Sequence, residues 1–159
     1  MTSNNSTAVI DETQTTQYVT FYVGKLLIGL PIDQVQEINR HFDVTQVPHA
    51  DASIRGVINL RGEVVSVLDL PKILGFGPAE VTRTSRNVII HHLGERIGLI
   101  VDDIADILPI PKNEIRIAPA NVKGVEGRFF RGVYTTNTQI AVILDVSETL
   151  ATDSNASQT

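Results

Sequence analysis

Valine, isoleucine and leucine recur along this chain in runs of about four to eight residues, each broken by glycine, proline or asparagine. Such runs read as strands joined by tight turns. They predict strands at Tyr18–Val23, Leu26–Pro31, Val57–Leu60, Glu63–Asp69, Asn87–His92 and Arg96–Val101, a bent segment at Ile104–Pro109, and strands at Ile115–Ile117, Gly132–Thr136 and Gln139–Leu144. Helical signals are few. Ile32–Ile38 reads as a turn or bent strand, while Leu70–Leu74 and Val146–Leu150 read as short helices. The Leu70-Pro71 pair argues against a long helix there, because the residue before proline is pushed out of the helical region.

The pattern occurs twice. Arg55 to Leu70 realigns without a gap onto Arg131 to Val146, with identity at Arg55/Arg131, Gly56/Gly132, Val57/Val133, Leu68/Leu144 and Asp69/Asp145. Upstream, Gly24 to Ile38 matches Gly94 to Ile107, with Gly29/Gly98, Leu30/Leu99 and Asp33/Asp102 coinciding and Val35/Ile104, Glu37/Asp106 and Ile38/Ile107 keeping their chemical type. Blocks in the same order in both halves imply an internal duplication into two similar units, with a natural binding site at their junction. Residues 71–86, poor in apolar side chains and carrying Gly75, Gly77 and Pro78, read as the connection. About five strands in each half suggest two small β-barrels, with approximate halves 17–78 and 79–150 and the division of end strands between them left open.

Several predicted strands are apolar on both faces, as in Val64-Val65-Ser66-Val67-Leu68 and Ile140-Ala141-Val142-Ile143-Leu144. A small barrel has one interior, so the outer face must be covered by the sister unit or by a partner.

Composition narrows the function. There is no cysteine, hence no disulfide, thiol nucleophile or cysteine-ligated zinc. The net charge of −5 and the lack of a basic stripe oppose a duplex nucleic-acid binder. No basic region followed by an apolar run opens the chain, and no apolar stretch approaches the ~20 residues that span a bilayer, so a soluble chain without an export signal and without membrane insertion is expected. Residues 1–16 and 151–159 are dominated by Ser, Thr, Asn and Gln and are expected to be disordered tails.

Candidate chemistry is sparse. Adjacent His91 and His92 on a strand point to opposite faces and do not converge on one metal; Asp102 and Asp103 meet the same objection. Asp69 and Asp145, equivalent across the repeat, suit a shared structural task, accepting backbone N–H bonds where a strand passes into a helix. No hydrolase, zinc-protease, dinucleotide or P-loop fingerprint occurs, so no enzyme, cofactor or metal is expected. Where the copies differ, Asn59-Leu60-Arg61-Gly62 becomes Thr135-Thr136-Asn137-Thr138. Gly62 supplies the positive φ of a tight hairpin and places Arg61 at an exposed tip, either as a solvated arginine or as a bidentate contact to a partner. A competing class is a small-barrel nucleic-acid-binding module, for which Phe129-Phe130-Arg131 is the best local candidate against a core-facing alternative.

The phrases Val35-Gln36-Glu37-Ile38, Arg55-Gly56-Val57-Ile58-Asn59-Leu60-Arg61-Gly62 and Gly98-Leu99-Ile100-Val101-Asp102, set in a duplicated barrel pattern over about residues 17 to 150, resemble the CheW family of chemotaxis coupling proteins. The resemblance implies an all-β fold of two five-stranded SH3-like β-barrels with few short helices. It also implies a non-enzymatic adaptor that binds the regulatory domain of the histidine kinase CheA and the cytoplasmic tips of methyl-accepting chemoreceptors, with ring-like array assembly. Such a protein is cytoplasmic and recruited to the inner face of the membrane. A receptor-binding groove is implied at Ile32, Val35, Glu37, Ile38, Gly98 and Leu99, and a kinase-binding or coupling hairpin at Ile58, Asn59, Arg61 and Gly62.

Overall fold

The computed structural model describes residues 14–151. In chain order the strands are β1 (Thr15–Val23), β2 (Leu26–Pro31), β3 (Val35–Asn39), β4 (Ile54–Leu60), β5 (Glu63–Leu68), β6 (Arg86–His92), β7 (Glu95–Val101), β8 (Asp103–Pro111), β9 (Asn121–Val122), β10 (Val125–Glu126), β11 (Phe130–Thr135) and β12 (Ile140–Leu144). Helix α1 is Leu70–Ile73, and a C-terminal helix α2 covers 146–151. One five-stranded sheet has the order β11-β12-β2-β1-β8, the other β4-β5-β7-β6-β3, and β9 pairs with β10 in a separate small hairpin. The fold is therefore mostly β, with two sheets of five strands and few short helices, as the hydrophobic pattern implies.

The sheets do not follow the halves of the sequence. Strands β1 and β2 join β8, β11 and β12, whereas β6 and β7 join β3, β4 and β5. Each half thus lends its whole leading hairpin to the other sheet, crossing at the 3-10 turn Ile32–Gln34 and at Asp102. The approximate halves 17–78 and 79–150 thus follow the sequence repeat, while the strand division left open between them is an exchange of hairpins. Apolar side chains on both faces of these hairpins are the physical reason: Val88, Ile90 and Leu99 enter a core shared by both sheets, while Ile89 and Ile100 enter a core of their own sheet. The shared core takes Phe21, Ile28 and Leu30 from the first sheet. A smaller cluster of Tyr18, Ile110 and Ile143 completes that sheet.

The duplication is visible in the register. Gly29 pairs with Ile143 and Gly98 with Val67, both in parallel, so matched residues of one block meet matched residues of the other. A bulge recurs too, between Val35 and Glu37 where β3 meets β6, and between Val19 and Phe21 where β1 meets β8. Chain leaving each edge strand returns to bridge the opposite edge, Thr45 to Val57 in one sheet and Arg116 to Val133 in the other. Gly56 and Gly132 sit beside these bridges. A Cβ on Gly56 would lie 2.5 Å from the Thr45 carbonyl oxygen, and one on Gly132 would lie 2.7 Å from that of Arg116. The glycines are repeated because the same close approach is repeated.

Asp69 and Asp145 are matched in the same sense. The Asp69 carboxylate accepts from the Lys72 amide at 3.1 Å at the start of α1, and that of Asp145 accepts from the Glu148 amide at 3.1 Å at the start of α2. Their own amides donate to Ser53 and Phe129, both at 2.7 Å. Asp69 additionally receives Arg55 at 3.2 Å and the Ala79 amide at 3.0 Å, so this buried carboxylate also pins the segment after α1.

Two expectations need adjustment. Thr15 and Thr16 pair with Pro111 and Ile110, so β1 begins inside the stretch expected as a tail; residues 1–13 and 152–159 lie outside the described residues. Ile115–Ile117 holds only the single bridge at Arg116 instead of a strand. Ile32–Ile38, expected as a turn or bent strand, is the 3-10 turn followed by the edge strand β3.

Candidate functional site

Strands β4 and β5 are joined by the two-residue turn Arg61-Gly62, with φ of 53° and 89°. Two successive left-handed residues match the twist of a hairpin, and the Asn59 side-chain oxygen accepts from the Gly62 amide at 2.8 Å to hold the turn. Asn59, Arg61 and Gly62 are exposed. Ile58 is 3% exposed and belongs to the core of its own sheet, so it supports the hairpin from beneath instead of presenting itself to a partner.

From this tip the Arg61 guanidinium reaches the Glu37 carboxylate on β3 and forms an ion pair. The other Glu37 oxygen accepts from the Asn39 side-chain Nδ2 at 3.0 Å. Both donors favour the ionised form, Arg61 more strongly, and together they hold the Glu37 carboxyl below its ordinary range. Arg96 on β7 pairs with Glu63 on β5 at 2.8 Å. Charges of alternating sign thus cross one end of the sheet, and two residues the sequence assigns to separate surfaces, Glu37 and Arg61, form a single unit.

The groove residues separate into two groups. Ile32 and Ile38 are exposed, at 42% and 38%, and Val35 is half-buried against the shared core. Gly98 and Leu99 lie in β7, with β6 between them and β3. Leu99 is 1% exposed within the shared core, and a Cβ on Gly98 would come within 2.5 Å of the Asn87 side-chain oxygen. A central strand covered on both faces leaves neither residue at a surface.

Sequence reasoning missed an open groove of about 690 Å³ along the parallel β5–β7 pair, where Ile54, Ser66, Leu68, Ile97 and Leu150 come together. Leu150 arrives from α2, a juxtaposition that no local pattern announces. It also missed a second copy of the hairpin turn. Asn121-Val122-Lys123-Gly124 repeats the asparagine-aliphatic-basic-glycine phrase, with Lys123 and Gly124 at φ of 50° and 91° and the Asn121 oxygen accepting from the Gly124 amide at 2.9 Å.

Other candidate chemistry is not assembled. Among the described residues no three His, Asp or Glu side chains gather as metal ligands. No described helix is long and apolar enough to cross a membrane. Phe129 and Phe130 are buried in the shared core, which removes the aromatic platform a nucleic-acid-binding reading would use.

The comparisons with known proteins agree with the geometry. Residues 17–154 match the CheW-like domain family. The chemotaxis protein CheW of Treponema pallidum is 30% identical over 136 residues, covering 82% of this chain and 79% of that protein. CheW of Bacillus subtilis is 30% identical over 139 residues, with 87% and 89% covered. The crystal structure of the scaffolding protein TtCheW from Thermoanaerobacter tengcongensis superposes with a TM-score of 0.75 at 33% identity, over 82% of this chain and 84% of that one. Matched along most of its length in both sequence and fold, the chain belongs to the CheW family of chemotaxis scaffolding and coupling proteins.

Proposed function

We infer that this chain is a non-enzymatic adaptor that couples methyl-accepting chemoreceptors to the histidine kinase CheA by binding both. The observation that carries the reading is the Glu37–Arg61 pair, which ties the partly exposed edge strand bearing Ile38 to an exposed basic hairpin tip. Ile32 and Ile38 offer the kind of ridge that packs against an amphipathic helix, here the helical tip of a receptor. Asn59, Arg61 and Gly62 offer a rigid tip with a guanidinium suited to a carboxylate or a backbone carbonyl on the kinase regulatory domain. Val35 and Glu37 join the two surfaces, and Gly98, Leu99 and Ile58 support them from within.

Binding two partners at once raises their effective concentration around each other and lets receptor conformation bias the kinase. Weak contacts suffice when repeated in a ring-like array. The protein then works in the cytoplasm, held at the inner face of the membrane by the receptors.

Co-sedimentation with CheA and a receptor cytoplasmic fragment tests the reading. The native chain should carry kinase into the receptor pellet. Failure to bind either partner alone, at salt concentrations where the chain remains folded, would sink it, as would a stronger salt-dependent shift with single-stranded nucleic acid than with both proteins.

A further inference from the structure

The two sheets are matched position by position, and one end of each can be compared with the other. In the β4-β5-β7-β6-β3 sheet that end is filled by the protein's own ion pairs, Arg61–Glu37 and Arg96–Glu63. Pairing register fixes the equivalents in the β11-β12-β2-β1-β8 sheet. Thr20 opposite Gly29 corresponds to Ile89 opposite Gly98, Leu27 opposite Tyr22 corresponds to Arg96 opposite His91, Asp106 follows the same bulge as Glu37, and Asn137 and Gln139 stand where Arg61 and Glu63 stand.

Both guanidinium groups are therefore missing from the second site, while one carboxylate is kept. What remains is a cavity of about 310 Å³ whose wall includes Tyr22, Leu27, Asp106, Asn137 and Gln139. Glu37 is satisfied by two side-chain donors, but among the described residues no donor is recorded on the Asp106 carboxylate. The Gln139 amide donates to the Tyr22 hydroxyl at 3.1 Å, which leaves its own oxygen free to accept.

We propose that this cavity binds the guanidinium of an arginine side chain presented by a partner polypeptide, which supplies in trans what Arg61 supplies within the other sheet. A planar guanidinium offers five donors, and Asp106 with the amide oxygens of Asn137 and Gln139 and the hydroxyl of Tyr22 offers acceptors of both charged and neutral kinds. Leu27, in the place of Arg96, provides apolar surface for the methylene stem. An ammonium group lacks the flat fork and fits such a set of acceptors poorly.

The site is independent of the adaptor reading, and its test contains neither kinase nor receptor. The full chain, labelled with nitrogen-15, is titrated with N-acetyl-arginine amide, with the lysine and citrulline analogues as controls. Saturable shifts are expected at the amides of Asn137, Thr138 and Gln139, with the arginine probe binding about tenfold more tightly than lysine and citrulline not binding. Asp106→Asn should abolish saturation, and so should Asn137→Arg, which restores an internal guanidinium. Spectra of β4 to β7 should be unchanged in both variants, showing that the fold is kept. Equal binding of lysine, or binding retained in either variant, would overturn the proposal, as would no saturation in the native chain. Tighter binding of free arginine than of the capped probe would overturn the polypeptide as the source.

Discussion

Arg61 and Glu37 come from opposite edges of one sheet and meet across the seam where those edges approach each other. The same seam carries the backbone bridge between Thr45 and Val57. The ion pair is therefore not an incidental surface contact between neighbours in sequence. It spans the closure of the sheet and fixes the height of the β4–β5 hairpin relative to β3.

Acidification should undo the pair before it undoes the fold. The Glu37 carboxyl is lowered on folding, so its contribution is complete above the ordinary carboxylate range and is lost as pH falls through the depressed value. A carbon-detected NMR titration of Glu37 should show a midpoint below the usual glutamate range, shifting upward in Arg61→Ala because its larger cause has gone. A midpoint that stays put would mean the pair is not maintained in solution.

Arg61→Ala and Glu37→Gln should each weaken receptor-dependent kinase stimulation while leaving the thermal unfolding midpoint nearly unchanged, since both side chains stand outside the core. Their effects should not add, because either substitution removes the same interaction. Stimulation assays on the two single variants and the double variant decide this; full additivity would show that the residues act separately.

Ile38→Asp and Leu99→Ala should separate surface from foundation. Ile38→Asp places a charge on exposed β3 and should lower receptor-fragment binding with little loss of stability. Leu99→Ala removes a side chain from the shared core and should cost about 2–5 kcal/mol in urea unfolding, with binding retained by the folded fraction. The reverse pattern would place Leu99 at the interface after all.

Gly132→Ala should destabilise by about 1–3 kcal/mol, because its new methyl meets the Arg116 carbonyl oxygen, a backbone atom that cannot swing away. Gly62→Ala has open space around it and carries only the left-handed strain, about 1 kcal/mol. Denaturation of the two variants side by side checks whether crowding or conformation governs these glycines.

Asp145→Ala should cost about 1 kcal/mol as the loss of a helix cap. Asp69→Ala should cost about 2–4 kcal/mol, since it also strands the buried Ala79 amide and removes the ion-pair partner of Arg55. Equal losses would mean the added contacts of Asp69 carry no weight.

Much of this was legible from periodicity. Strands with continuous apolar runs declared themselves, as did the helix starts after Asp69 and Asp145, because caps and short periods are local signals. The partition of strands between sheets was not legible. Whether β2 lies beside β12 or beside β5 depends on pairings between distant residues, and the apolar faces of either partner satisfy the same pattern. For the same reason Leu99 looked like a groove residue. The family resemblance placed it there, while its burial is decided by β6 and β5 on either side. The Glu37–Arg61 pair was hidden likewise: each residue was singled out, but only sheet closure brings them together.

The exchange of leading hairpins has a consequence for the order in which the molecule is made. All five strands of the β4-β5-β7-β6-β3 sheet have left the ribosome once Val101 has emerged, whereas β2 must wait for β12 near the far end of the chain. Pairing across so long a separation is slow and leaves an unpaired edge in the meantime. Strands β1 and β2, made before every other described strand, are thus among the last to find their place, and cutting the gene at the midpoint of the repeat would yield two fragments, each carrying a hairpin that belongs to the other.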